Sequence, residues 1–377
     1  MKKRICVTIP NLHGAGCERM LSEVLPFYVD TFEVDLVLQE RKISYDLPVG
    51  VDVFDLGVPR SLAGTIATVR ALRRHLKEKK YDAVVSYLDT YNVTVWLSQL
   101  FWKKKPPHIA CEHTTDREFF ANSRMSPLRQ WLFKRALKAA YSRVDRIVAV
   151  SHNLADFLRG DLGIKTPITV IHNAVDPGKF NLDEPDDRAG LTPEFIAAKV
   201  RILCISRLDH QKNLSFLLQS FETVKDKVPD AEIFILGTGP LHDEIEEEID
   251  RRGLKGRVHL LGFRPNPEGY FKLSDLFVLS SRYESFGNVI VEAMACGVPV
   301  VTTNYGDVVR EIIASPELGT VVDQGDADGF ANAILQTLQG PGDRSILSSH
   351  ALKNFEIASK GKAYVDIISK VIRERSL

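Results

Sequence analysis

The chain has 377 residues, 44% hydrophobic and 26% charged, a length that suits two domains and a balance that excludes disordered and fibrous classes. No apolar run reaches the roughly 20 residues of a membrane span; the longest, residues 93–102, is broken by Ser98 and Gln99 and stops at Lys103-Lys104-Lys105. Basic and acidic residues balance at 49 each, yet residues 1–180 carry +8 and the remainder −8, a split that suits one half facing an anionic partner.

The N-terminus, Met1-Lys-Lys-Arg4, leads straight into a short strand-like run at 4–9. It has neither the longer apolar stretch nor the small-residue cleavage site of a signal peptide, so a cytoplasmic location is expected. Further strands are read at 33–38, 83–86, 108–111 and 146–150: short, β-branched runs bounded by polar turns. Amphipathic helical stretches lie between them, at 18–28, 65–79 and 128–140. Residues 181–187 are polar and turn-rich and read as a linker. The alternation then restarts, with strands at 201–205, 232–236, 258–260, 276–279 and 298–302. This pattern predicts an α/β protein of two Rossmann-like domains facing each other across a cleft, residues 1–178 and 185–357. Cys6, Cys17, Cys111, Cys204 and Cys296 are scattered, which argues against a disulfide framework and a zinc site.

The most informative segment is Ser281-Arg-Tyr-Glu284-Ser-Phe286-Gly287-Asn288-Val289-Ile-Val-Glu292-Ala-Met-Ala-Cys-Gly297-Val-Pro299. It reads as strand, tight loop, helix, tight loop, strand. Glu284 is expected to end the strand, and Gly287 to let the chain turn closely. The helix begins near Asn288, so its first N–H groups form an anion site. Glu284 and Glu292 bracket that helix start, and carboxylates there suit sugar or ribose hydroxyls. The bland alternative is a helix-capping Glu284 and a solvated Glu292. A second segment, Ser206-Arg207-Leu-Asp-His-Gln-Lys212-Asn213, places two cations just past a strand end. Arg207 can fork onto phosphate oxygens, and Lys212 adds a point charge. A third, His13-Gly14-Ala15-Gly16-Cys17-Glu18-Arg19, begins like a dinucleotide fingerprint, but Arg19 stands where the third glycine belongs, which counts against a dinucleotide oxidoreductase. The glycine loop still lets a phosphate or sugar approach the backbone. Asp326-Ala-Asp328 has a metal-type spacing but precedes a helical run at 329–338, so it reads as an N-cap.

Together these segments resemble the retaining glycosyltransferases of family 4, which have the GT-B fold. The resemblance covers nearly the whole chain and includes His172-Asn173-Ala-Val-Asp176, Leu236-Gly-Thr-Gly239-Pro and Leu261-Gly262-Phe263 in the family's order. It implies that Arg207 and Lys212 grip a donor pyrophosphate, that Glu284 faces the transferred sugar and that Glu292 holds ribose hydroxyls. The backbone of Phe286, Gly287, Asn288 and Val289 would bind phosphate or sugar, and Phe263 and Arg264 would flank the base. Gly14 and Gly16 would approach the donor, and His113 would sit near its sugar. The first loop departs from the family's common Gly-Gly-Ala-Glu, which favours Gly16 over Gly14. The resemblance further implies a nucleotide diphosphate sugar donor, UDP-linked foremost, a glycan or lipid-linked acceptor, and a front-face mechanism in which the diphosphate assists deprotonation of the acceptor. No metal or other cofactor is expected. A C-terminal helix at 358–377 would pack back on the first, acceptor-side domain. The competing readings are a nucleotide-sugar epimerase of the same fold and a non-catalytic sugar-nucleotide-binding subunit.

Residues 101–146 hold 11 basic and 4 acidic side chains, with Trp96, Phe101, Trp102, Phe119 and Phe120 in or beside them. This suits docking on an anionic membrane surface, against the alternative of a solvated basic face. No nucleic-acid motif accompanies the charge.

Overall fold

A computed structural model describes residues 2–14, 16–59, 62–113, 117–122, 125–182, 188 and 190–376. The chain divides into two compact units, Met1–Ala174 with Ile357–Leu377, and Val175–Glu356. The first boundary falls a few residues before the expected one, and most of the expected linker, 183–187, lies outside the described residues.

The first unit runs β1 (Lys3–Ile9), α1 (Gly16–Thr31), β2 (Phe32–Leu38), β3 (Val51–Asp55), α2 (Leu62–Lys79), β4 (Ala83–Tyr87), α3 (Asp89–Ser98), β5 (His108–Glu112), α4 (Arg117–Asn122), α5 (Pro127–Tyr141), β6 (Arg146–Ala149), α6 (His152–Asp156) and β7 (Ile168–Val170). The second runs α7 (Pro193–Ala197), β8 (Val200–Ile205), α8 (Leu214–Lys227), β9 (Ala231–Leu236), α9 (His242–Arg251), β10 (Val258–Gly262), α10 (Glu268–Leu273), β11 (Leu276–Leu279), α11 (Asn288–Ala295), β12 (Val300–Thr303), α12 (Val308–Ile312), β13 (Thr320–Val322), α13 (Ala327–Gln339) and α14 (Arg344–Phe355). Helix α15 (Ile357–Ser376) returns to the first unit.

Both sheets are parallel and wound from the centre outward, in the orders β3-β2-β1-β4-β5-β6-β7 and β10-β9-β8-β11-β12-β13. Central strands such as β4, β5 and β11 are buried at every position. That is why they read as continuous apolar runs without alternation. The order reverses between β1 and β4 in one sheet and between β8 and β11 in the other, and a crevice for ligands opens at the carboxyl ends of strands flanking such a reversal. In the first unit, Tyr364, Ile368 and Val371 of α15 join the core that α1 forms on β1 and β2. The Tyr28 and Tyr364 rings meet edge to face at 6.3 Å. No helix among the described residues is long and apolar enough to cross a membrane.

Candidate active site

In the second unit, β8 and β11 deliver the two motif segments to the strand-order reversal. Beyond β8 the chain turns through Asp209, whose carboxylate accepts the Gln211 N–H at 3.0 Å and pairs with Arg207 Nε at 3.1 Å. Arg207 is otherwise open to solvent, its side chain 68% exposed. Lys212 points the other way, into the loop that follows β11, where its Nζ meets Glu284 Oε1 at 2.5 Å. Ser281 Oγ donates to the same carboxylate oxygen at 2.7 Å.

That loop, from Ser280 to Gly287, is tied down on both sides. Gln211 Nε2 donates to the Tyr283 carbonyl at 2.8 Å, and Ser280 Oγ to the Lys212 carbonyl at 2.7 Å. From the β12 side, Thr303 Oγ1 and Gln324 Nε2 both donate to the Ser281 carbonyl, at 2.6 and 2.9 Å. The loop ends at Gly287 in a left-handed conformation, φ +110°, which starts α11 with no side-chain cap. A Cβ there would lie 2.6 Å from Tyr305 Oη, so only glycine fits. Tyr305 is fully buried and donates to the Phe286 carbonyl at 3.1 Å. The N-terminus of α11 thus presents main-chain N–H groups on a rigid frame beside Lys212 and Glu284, an arrangement suited to an anion flanked by hydroxyls.

The glycines after β9 pack against the main chain of the Arg207 loop. Leu208 N donates to the Thr238 carbonyl at 3.0 Å, and Leu241 N to the Leu208 carbonyl at 3.1 Å. A Cβ on Gly237 would come within 1.9 Å of the Ser206 carbonyl oxygen, and one on Gly239 within 2.2 Å of that of Leu208. Gly237 N in turn donates to the Gly262 carbonyl at 2.9 Å, which fixes the start of the Phe263–Arg264 turn. Phe263 leaves its ring half exposed. Arg264 buries its Nε with no hydrogen-bond partner among the described residues.

One expectation needs correction, and one of the bland alternatives falls. Glu284 does not end a strand: β11 stops at Leu279, because the carbonyls that follow are taken by side chains of Thr303, Gln324 and Gln211 rather than by a ladder. Glu292 is not a solvated helix residue, being 6% exposed on the inner face of α11. Phe286 is also buried, its ring against Phe355, so only its backbone is placed for a ligand, and that carbonyl is already held by Tyr305. Asn288 and Val289 occupy the first turn of α11 and are half-buried. Asp326 caps α13, accepting the Gly329 N–H at 2.8 Å. Sequence reasoning did not single out Gln211, Thr303, Tyr305 or Gln324, since nothing in their spacing marks them.

Gly14, Gly16 and His113 belong to the first unit and stand at the carboxyl ends of β1 and β5. Gly14 has φ +77° with open space about it, and Gly16 begins α1. His113 is no surface residue: it is 6% exposed, and neither ring nitrogen has a hydrogen-bond partner among the described residues. Burial pushes its pKa down to about 3, so the ring is neutral. Its backbone N–H is held by Glu112, whose carboxylate receives the Tyr141 hydroxyl. Nearby, a cavity of about 560 Å³ opens at the carboxyl ends of β1, β2 and β4, walled by Thr68, Leu88, Tyr91, Leu97 and Phe133 with Glu18 and Gln39. Leu88 reaches it through a strained backbone, φ +75° and ψ +144°, a region otherwise left to glycine.

The chain matches known proteins over both units. The model for "Glycosyl transferases group 1" matches residues 194–354, and that for "Glycosyltransferase Family 4" matches residues 16–179. A Campylobacter jejuni N-acetylgalactosamine-N,N'-diacetylbacillosaminyl-diphospho-undecaprenol 4-alpha-N-acetylgalactosaminyltransferase is 28% identical over 85% of this chain and 86% of its own length. Sucrose-phosphate synthase from Thermosynechococcus elongatus superposes with a TM-score of 0.82 at 18% identity, over 99% of this chain and 100% of that one. Anabaena HepE, in complex with UDP and glucose, superposes with a TM-score of 0.80 at 22% identity, over 97% and 99%. With two sheets of the GT-B type and motif residues assembled at the strand reversal, the chain belongs to the group 1 glycosyltransferases of the family 4 type.

Proposed function

We propose that this protein transfers a sugar with retention from a nucleotide diphosphate donor, UDP-linked, to a hydroxyl of a glycan or lipid-linked acceptor, without a metal. The observation that carries the reading is the placement of Lys212, Glu284 and the α11 N-terminus around one point, with the exposed Arg207, held by Asp209, on the β8 loop. As the anomeric C–O bond breaks, the leaving diphosphate gains charge, and Arg207, Lys212 and the helix start stabilise it. The diphosphate oxygen so released takes the proton of the attacking hydroxyl. Glu284 orients Lys212 and meets the sugar, and Glu292 holds the ribose. Support for the acceptor class comes from the Campylobacter relative, named for a diphospho-undecaprenol substrate, and support for the nucleotide from the UDP held by the Anabaena protein.

A cytoplasmic, membrane-peripheral enzyme fits this reading, and α5 is the surface we assign to the lipid. Leu128, Trp131 and Leu132 are exposed along one stripe of that helix, among Arg129, Lys134, Arg135 and Lys138, and the Arg135 guanidinium covers the Trp131 ring at 4.9 Å. Phe120, one of the aromatics of the basic region, is buried against Phe157 and so is not available to a lipid surface.

The test is a thermal-shift screen of nucleotide sugars followed by NMR of the product's anomeric linkage. A bound donor raises the melting temperature by mass action. Stabilisation by UDP-sugars and a retained anomeric configuration are expected. Inversion at the anomeric carbon, or release of an epimerised nucleotide sugar without acceptor, overturns the proposal.

A further inference from the structure

At the amino-terminal edge of the first unit's sheet, the approaches to β4 and β5 and the end of α15 enclose a second cavity, of about 440 Å³. Lys77, Lys80, Lys103, Lys104, Lys105 and Arg375 line it. Read along the sequence, the lysine triplet belongs to the same basic region as α5. In the structure Lys105 Nζ reaches the Arg143 carbonyl beyond the end of α5, at 3.4 Å, whereas Leu128, Trp131 and Leu132 occupy that helix's first two turns. At 1.5 Å per residue the two places are roughly 15 Å apart along the helix.

The acidic groups around the cavity are already engaged. Asp82 holds Lys3 at 2.9 Å and the Arg4 N–H at 2.9 Å, and Asp145 holds Arg375 at 2.5 Å. None of the five lysines forms an ion pair among the described residues. Lys105 is half-buried, and its pKa is drawn below the usual lysine value, first by burial; the Asp145 carboxylate opposes this in part, and the neighbouring charges of Arg375 and Arg143 add to it. Trp102 forms part of the wall, with Lys77 Nζ 5.7 Å from its ring centre, and Pro106 and Pro107 stiffen the other side. Five converging lysines with no ion pair of their own among the described residues, in a concave, partly desolvated setting, favour an anion with several oxygens.

We infer that this cavity, framed by Lys77, Lys80, Trp102, Lys103, Lys105 and Arg375, binds the phosphoryl oxygens of a phosphorylated anion, at residues separate from the donor site. Such oxygens come either from a soluble polyphosphate or from a lipid head group. Trp102 serves as a local reporter in a Trp96→Phe, Trp131→Phe background. Sodium tripolyphosphate and phosphatidylglycerol vesicles are the two probes, with phosphatidylcholine vesicles as the uncharged comparison. A saturable change in Trp102 emission is expected, weakened by salt. It should be about tenfold weaker for each of Lys103→Ser and Lys105→Ser, and unaltered by Arg207→Ala. The exposed pair Lys77→Ser, Lys80→Ser gives the same comparison should the half-buried Lys105 prove necessary for folding. A response to tripolyphosphate identifies a soluble anion as sufficient, and a response to phosphatidylglycerol vesicles alone identifies the head group. No response to either probe, a response that survives every lysine substitution, or one abolished by Arg207→Ala overturns the inference.

Discussion

Lys212 Nζ and Glu284 Oε1 lie 2.5 Å apart with both side chains largely buried, while Arg207, five residues before Lys212, keeps its side chain 68% exposed. The two cations therefore differ in what their loss does to the fold. Lys212→Ala leaves Glu284 without its counter-charge and should cost roughly 1–3 kcal/mol of stability. Arg207→Ala should leave the denaturation midpoint nearly unchanged, since exposed pairs such as its contact with Asp209 contribute little. Both should lower kcat by about 100- to 1,000-fold, as expected for preorganised charges aimed at a leaving group. Urea denaturation and steady-state kinetics on the two variants check this, and normal turnover by Arg207→Ala at saturating donor removes the leaving-group role.

Glu292 and Glu284 should separate in kinetics as well. Ribose hydroxyls do not change during the reaction, so Glu292→Gln should raise the donor KM and largely spare kcat. Glu284→Gln should lower both kcat and kcat/KM, because it alters the partner of Lys212 and the contact to the sugar. Equal effects of the two substitutions on kcat contradict this division of roles.

Sugar transfer should continue in excess chelator. The positive charge that assists the diphosphate is supplied by Arg207, Lys212 and the α11 N-terminus in this reading. Loss of rate in EDTA that magnesium or manganese restores refutes it.

Gly239→Ala should damage the site by main-chain overlap rather than by any change in chemistry. Its Cβ would meet the Leu208 carbonyl carbon and nitrogen at 2.6 and 2.7 Å, besides the oxygen. The expected cost is about 1–3 kcal/mol, with a raised donor KM because the Arg207 loop must move. A variant with wild-type melting temperature and KM shows that the loop yields freely.

His108 and His113 make acid stability measurable. Burial holds both neutral, with pKa values pushed down to about 3, and adds for His108 the charge of Lys105. In the unfolded chain they titrate near 6.5. The unfolded state therefore binds more protons between these values. Stability is full above about pH 6.5 and falls as pH drops toward 3, by up to ~1.4 kcal/mol per pH unit for each histidine. Urea midpoints from pH 7 to pH 4.5 should show a shallower decline for His113→Gln than for the parent. A parallel decline means that His113 protonates in the folded protein.

The strands and the motif segments were legible because both are local. A fully buried parallel strand such as β4 or β11 must be apolar throughout, and a glycine at φ +110° before an eight-residue helix leaves a fixed trace in Gly287-Asn288. β3 escaped notice because it is a half-exposed edge strand, and β7 and β13 because three residues carry no period. The residues that hold the site in shape were equally silent. Gln211 and Gln324 act through loop carbonyls more than 40 positions away, and a glutamine at such a place looks like any other surface residue. The basic region at 101–146 shows a related limit of the sequence: residues close along the chain sit at the two ends of α5, which a charge count does not reveal.

Helix α15 has a consequence for how the protein is made. The first unit's apolar face on α1 is completed by Tyr364, Ile368 and Val371, yet all of the second unit is translated between Ala174 and that helix. At roughly 5–20 residues per second, a nascent chain waits some 10–40 s with this face uncovered. The second unit, continuous in sequence, can close first. The early-born half should then complete its core last, and ribosome-bound chains stalled just before Ile357 should display its α1 face as the surface on which chaperones act.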